Sequence, residues 1–230
     1  MSSFPILFDE FLLNNPFMSI YPTKTKNIVI RGDYSFDIDP PECDHIIDEY
    51  KLKIVIYNDF PNKLPKVFEM ENKIPRHNTI FHVNQDHSLC LGSTLNILKS
   101  LKKNPDLNSY AKNFLIPYLY DTSRLLEDKT RTRYHGELSH GNKGLIEEYK
   151  ELFELDHKNQ VLDTIYLLTL PYQLAKEIKC SCGCGRKLKD CDFKNTIKKY
   201  KKYAAESWYQ KHLENIIKRG YRWEKINLIY

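Results

Sequence analysis

Glycine is scarce in this chain, with 8 residues in 230, and methionine and tryptophan are scarcer still, with 3 and 2. So few glycines leave little material for a glycine-rich phosphate loop, and none is found, so no ATP is expected to bind this chain. No low-complexity segment and no fixed-period repeat occurs, which argues against a linker array or a solenoid. Long hydrophobic runs are also missing. The greasiest stretch, VLDTIYLLTLPYQLA, is interrupted by Asp163 and Pro171 and is too short to span a bilayer. The opening MSSFPILFDEFLLNNPF lacks the basic flank and long apolar run of a secretory signal, being broken by Asp9, Glu10 and paired asparagines. These absences predict a cytosolic, soluble protein with no membrane partner.

What is present is an ordinary globular composition, 41% apolar and 28% charged, enough for one good-sized domain with an appendage. The net charge of +5 hides an asymmetry. From Cys180 to the C-terminus there are 13 Lys+Arg against 5 Asp+Glu, a net +8, which leaves −3 for the rest. The two parts are expected to meet different surfaces.

NIVIR, DYSFDID and YKLKIVIYN carry apolar residues at every second position, as half-buried strands do. Gly32-Asp33 is expected to turn the chain between the first two, and Pro40-Pro41 to end the second. LPKVFEM reads as a further strand after the Phe60-Pro61-Asn62 turn, and IPRHNTIFHVNQDHSLCLG as an ordered loop. Beyond it the period becomes helical. LNSYAKNFLIPYLYDTSRLL is expected to kink at Pro117, GLIEEYKELFEL and QVLDTIYLLTLPYQLAKEI read as helices, and one basic helix is expected to run from Phe193 to about Gly220. Strands first and helices afterwards predict an α+β fold. The expected division is a domain over 1–158 and a helical appendage over 159–230.

Two constellations carry chemistry. In the first, FPNKLPKV leads into His82-Val83-Asn84 and then Asp86-His87-Ser88-Leu89-Cys90-Leu91-Gly92, with Gly136-Glu137-Leu138-Ser139-His140-Gly141 further on. This order resembles the ubiquitin-conjugating enzymes, and more closely their bacterial branch, over roughly residues 25 to 150. Val83 stands where that family has proline, and His87 where the bacterial members often have glycine. The resemblance implies an antiparallel meander followed by helices, with Cys90 as the catalytic nucleophile that carries a protein's C-terminal acyl group as a thioester. A thiol suits the task because its thiolate is a good leaving group when an amine attacks. Asn84 would stabilise the oxyanion or shape the loop. His82 and His87 would favour the thiolate electrostatically or order the loop. Glu137 and His140, in a glycine-bearing loop expected to lie over the cysteine, would help deprotonate an attacking amine. That loop is not an H-E-x-x-H metal motif.

By the same resemblance the chain is a transferase of antiviral (CBASS) defence systems. Its partner, as acyl donor or substrate, would be a cGAS-like nucleotidyltransferase, with activation left to a separate enzyme or dispensed with. Two other readings remain open: a binding module that keeps the fold without the chemistry, and a cysteine hydrolase using Cys90 with a histidine.

The second constellation is Cys180-Ser-Cys182-Gly-Cys184-Gly-Arg-Lys-Leu-Lys-Asp-Cys191-Asp192. Crowding of this kind in a cytosolic chain points to metal rather than to disulfides. It resembles the zinc-binding module at the C-terminus of SecA, with Cys184-Gly185 at the Ser-Gly position and Asp192 at the place of the last ligand. Either four thiolates hold a structural zinc, or Cys180, Cys182 and Cys191 do so with Asp192 as fourth ligand. The basic tail mixes Lys and Arg with Tyr and Trp, as nucleic-acid binders do. The preferred reading is a solvated helix face whose aromatics are core, and nucleic acid is not the expected partner. Cys43, in PECD, has no recognisable context.

Overall fold

The computed structural model describes residues 6–136, 141–218, 220 and 223. The chain divides into two compact units, Met1–Leu138 and Ser139–Tyr230. Residues 139–158, placed by the sequence reading in the first domain, fall in the second of these units.

The first unit opens with α1 (Ile6–Asn14), followed by β1 (Met18–Tyr21), β2 (Ile28–Ile38), β3 (Ile46–Ile56) and β4 (Lys66–Glu69). These strands form one antiparallel sheet in the order β1-β2-β3-β4, a meander. The alternation read in β3 is the pleat itself. Tyr50, Leu52, Ile54 and Ile56 are buried while Glu49 and Lys51 are exposed, and Ile30, Ile54 and Val67 lie side by side across three strands.

One sequence expectation fails here. Gly32 does not turn the chain, because β2 runs straight through it and pairs along its length with β3. Gly32 instead faces Met18 of β1 at φ 148°, and a Cβ built on it would lie 1.9 Å from the Phe17 carbonyl oxygen. Only a residue without a side chain lets β1 approach this closely. Helix α1 and strand β1 had no clear signal in sequence. Phe8 and Phe11 of α1 are buried, whereas Leu13, Phe17, Ile20 and Tyr21 are exposed, so the apolar positions there follow no single period.

After the sheet come α2 (Thr94–Lys103), α3 (Leu107–Tyr110), a π-helical turn (Ala111–Leu115) and α4 (Ile116–Glu127). The irregularity expected at Pro117 takes the form of that π turn. Proline at the start of α4 has no N–H to give, and a wider turn before it relieves the lost i→i−4 bond. Helix α4 packs on β3. Tyr50 Oη lies 2.7 Å from Ser123 Oγ, which donates to Asp48 Oδ2 at 2.7 Å, and Tyr120 Oη donates to the Asp44 carbonyl at 2.7 Å.

The second unit contains α5 (Gly141–Phe153), α6 (Lys158–Thr169), α7 (Tyr172–Ala175), α8 (Lys194–Tyr200) and α9 (Glu206–Lys218). The single basic helix expected from Phe193 onward is two. The chain breaks over 201–205, where Lys201 Nζ donates to the Leu168 carbonyl at 3.2 Å, bonds the Leu170 carbonyl and pairs with Glu206 at 2.9 Å. These are the open carbonyls at the end of α6, and a lysine there satisfies them. Of the tail's described aromatics Tyr200 and Tyr209 are buried as expected and Tyr203, Trp208 and Trp223 are half-buried, while Lys198, Lys199 and Lys202 face solvent. No described helix is long and apolar enough to cross a membrane.

Candidate functional sites

The Cys90 loop is built from short-range hydrogen bonds. Asn78 caps a 3-10 turn over Thr79–Phe81 by accepting from the Ile80 N–H at 3.1 Å. His82 then takes a left-handed backbone, φ 50°, and reverses the chain so that Val83 bridges Leu89. Between them the Asn84 N–H donates to the Ser88 carbonyl and the His87 N–H to the Asn84 carbonyl, both at 2.8 Å. Asn84 Nδ2 donates to Ser88 Oγ at 3.1 Å, and Asp86 Oδ1 accepts from the Ser88 N–H at 3.1 Å and from Ser88 Oγ at 2.6 Å.

Asp86 also pairs with Lys66 of β4. The lysine ammonium, then the Ser88 hydroxyl, hold its carboxyl well below the usual range, at about 2. The Leu89 N–H donates to the Val67 carbonyl at 2.8 Å and sets the loop on the sheet edge.

Cys90 follows, half-buried between buried Leu89 and Leu91, and forms no disulfide. Its N–H donates to the His82 carbonyl at 2.9 Å. Just beyond, Ser93 caps α2 by accepting from the Asn96 N–H at 3.3 Å. Of the predicted residues, His82, Asn84, His87 and Cys90 thus share one turn. His82 is buried and acts on Cys90 through its backbone carbonyl. Asn84 and His87 are exposed, and one amide N–H of Asn84 is engaged inside the loop. Glu137 and His140 lie outside the described residues.

The supports of this turn come from outside the loop and carry no motif in the sequence. Tyr118 of α4 donates from its hydroxyl to the Phe81 carbonyl, and Arg133 Nη2 donates to the Ile80 carbonyl, each at 2.6 Å. Asp121, buried in the same helix, accepts from the Tyr134 N–H at 2.8 Å and the His135 N–H at 3.3 Å, with His135 Nδ1 at 3.4 Å. Three successive carbonyls, 80, 81 and 82, are therefore taken by Arg133, Tyr118 and the Cys90 N–H. The available signal was Asp121 itself, a carboxylate on the buried side of an amphipathic helix, which has to find donors.

In the second unit the sulfurs of Cys180, Cys182, Cys184 and Cys191 all lie within 4.8 Å of one another. Cys180 and Cys182 are 3.2 Å apart, and Cys182 and Cys191 3.6 Å. A tetrahedral Zn–S bond of about 2.3 Å requires sulfurs about 3.8 Å apart, so the four donors fit a closed thiolate site. Asp192 is exposed and outside the cluster, in which Cys184 stands as the fourth sulfur.

The loop is a small hairpin. Lys179 bridges Lys187, the Cys180 N–H donates to the Arg186 carbonyl at 2.8 Å, and Gly183 and Gly185 take φ 86° and 74°. Helix α6 fastens it through Gln160 Nε2 to the Cys182 carbonyl at 2.8 Å and through Thr164 Oγ1 against Ser181 Oγ at 2.7 Å. Burial pushes the Cys180 and Cys182 thiols up. The Arg186 backbone N–H, more than any other group, brings Cys184 down to about 6. These cysteines could hold a metal ion such as zinc, which would draw all four to thiolates.

Compared with protein-family models, curated proteins and solved structures, the chain gives no match.

Proposed function

We propose that the protein is a conjugating enzyme of the ubiquitin type, in which Cys90 carries an acyl group as a thioester. The observation that carries this reading is the placement of Cys90. It follows a four-stranded antiparallel meander, on a turn ordered by His82, Asn84 and Ser88, half-open to solvent and immediately ahead of a capped helix.

The Cys90 thiolate attacks the activated C-terminal carbonyl of a donor protein, displacing that carbonyl's leaving group and forming the thioester. A target amine then attacks the same carbonyl, the Cys90 thiolate leaves, and the amine gives up its proton to yield an amide. Each attack builds an oxyanion, and the second amide N–H of Asn84 stabilises it. The donor or target is a cGAS-like nucleotidyltransferase, with activation supplied by a separate enzyme, and the setting is antiphage defence. The zinc module is structural, since a four-thiolate site has no open position for substrate.

Co-expression with such a nucleotidyltransferase and activating enzyme tests this. On non-reducing gels a higher band is expected that vanishes with thiol reductant and is missing in Cys90→Ala, while Cys90→Ser gives a reductant-stable ester. Absence of any adduct on Cys90 sinks the catalytic reading and leaves the fold as a binding module.

A further inference from the structure

Arg133 is 6% exposed, and its Nη1 has no hydrogen-bond partner. Nη2 is spent on the Ile80 carbonyl, the guanidinium carbon lies 5.9 Å from the centre of the Tyr118 ring, and no carboxylate among the described residues forms an ion pair with it. A buried cation without a partnered counter-ion is costly, and proteins keep one where its charge is used. Tyr118 stands beside Arg133 and holds with its hydroxyl the carbonyl that precedes His82. The backbone connects them too, since Arg133 holds carbonyl 80, Tyr118 holds carbonyl 81, and Cys90 hangs from carbonyl 82.

We propose that Arg133 is a positioning residue for the Cys90 centre: one arm holds the 80–82 turn, and its buried charge, in no ion pair with a described residue, favours the thiolate of Cys90. The proton leaves to solvent or buffer, and a cation in a low-dielectric setting stabilises the anion left behind. The other charged or titratable groups around the turn are identifiable. Glu69 of β4 is buried and within reach of Tyr118, and its carboxylate accepts from the Glu71 and Ile74 N–H groups. Asp121 of α4 is occupied by Tyr134 and His135. Asp86 is paired with Lys66. His82 and His87 stand on the loop itself. The two buried carboxylates oppose a thiolate, and Arg133 is the buried cation of the set.

This inference rests on the thioester reading for its purpose, but its test needs no acyl donor. The rate of Cys90 alkylation by iodoacetamide, followed by peptide mass mapping on the full-length, zinc-loaded protein, is measured against pH. For the unaltered protein the midpoint is expected below that of a free cysteine, about 8.5. In Arg133→Gln it rises by roughly one unit, and Arg133→Lys restores most of the difference. A midpoint at or above about 8.5 in the unaltered protein overturns the proposal even if Arg133→Gln does not fold. So does an unchanged midpoint in a folded Arg133→Gln. A lowered midpoint with no gel adduct would defeat the thioester reading alone.

Discussion

Asp121 carries more of the first unit's order than its position in an apolar helix suggests. Its carboxylate takes two backbone N–H groups and faces His135 Nδ1 while almost fully buried. Removing it takes a charged acceptor from two part-buried N–H groups and empties a buried polar position. Asp121→Ala is therefore expected to destabilise the first unit by roughly 3 kcal/mol. It should also free the 131–136 segment, so that trypsin cuts after Arg131 and Arg133 faster than in the unaltered protein. Unchanged cleavage kinetics in a folded variant would refute this. Asp86 works differently, as an exposed residue whose interactions are screened, so the Lys66 pair contributes little to stability and mainly sets the tip of the loop.

At the scale of elements, the sheet edge depends on one residue without a side chain. Gly32→Ala would drive a methyl group into the Phe17 carbonyl, and backbone cannot swing aside as a flexible side chain can. Loss of the β1–β2 pairing is expected, with destabilisation on the order of 3 kcal/mol in denaturant unfolding and loss of amide protection across Met18–Tyr21. A variant with unaltered β1 protection would show that the strand finds another approach. The Cys90 turn is likewise an element built by capping and αL geometry rather than by period. That is why its sequence reads as an aperiodic stretch although its backbone is tied by successive hydrogen bonds among residues 82–90.

For the whole molecule, the two units separate the chemistry. The cluster of Cys180, Cys182, Cys184 and Cys191, on a hairpin that Gln160 and Thr164 fasten to α6, lies in Ser139–Tyr230, whereas Cys90 lies in Met1–Leu138. Elemental analysis of the purified protein should find one zinc per chain. Cys184→Ser should lower that content and Asp192→Asn leave it unchanged. Chelation should lower the thermal transition of the second unit, since binding free energy is folding free energy at such a site. Thioester formation on Cys90, measured alongside, should persist after chelation at temperatures where the first unit stays folded. Equal zinc in Cys184→Ser and unaltered protein, with a drop in Asp192→Asn, would move the fourth ligand to the aspartate.

The α+β class, the pleat of β3, the burial of Tyr200 and Tyr209, and the crowding of four cysteines within a dozen residues are legible in the residues alone. Each depends on local period or local spacing, which the chain carries wherever it goes. Packing, by contrast, makes Gly32 a contact between strands rather than a turn, breaks the basic tail at 201–205 and brings Cys184 into the thiol cluster. It also brought Arg133, Tyr118 and Asp121 to the turn that bears Cys90. Those facts depend on a carbonyl, a sulfur or an N–H arriving from elsewhere in the chain. Such a partner leaves no mark on the periodicity of the residues it meets.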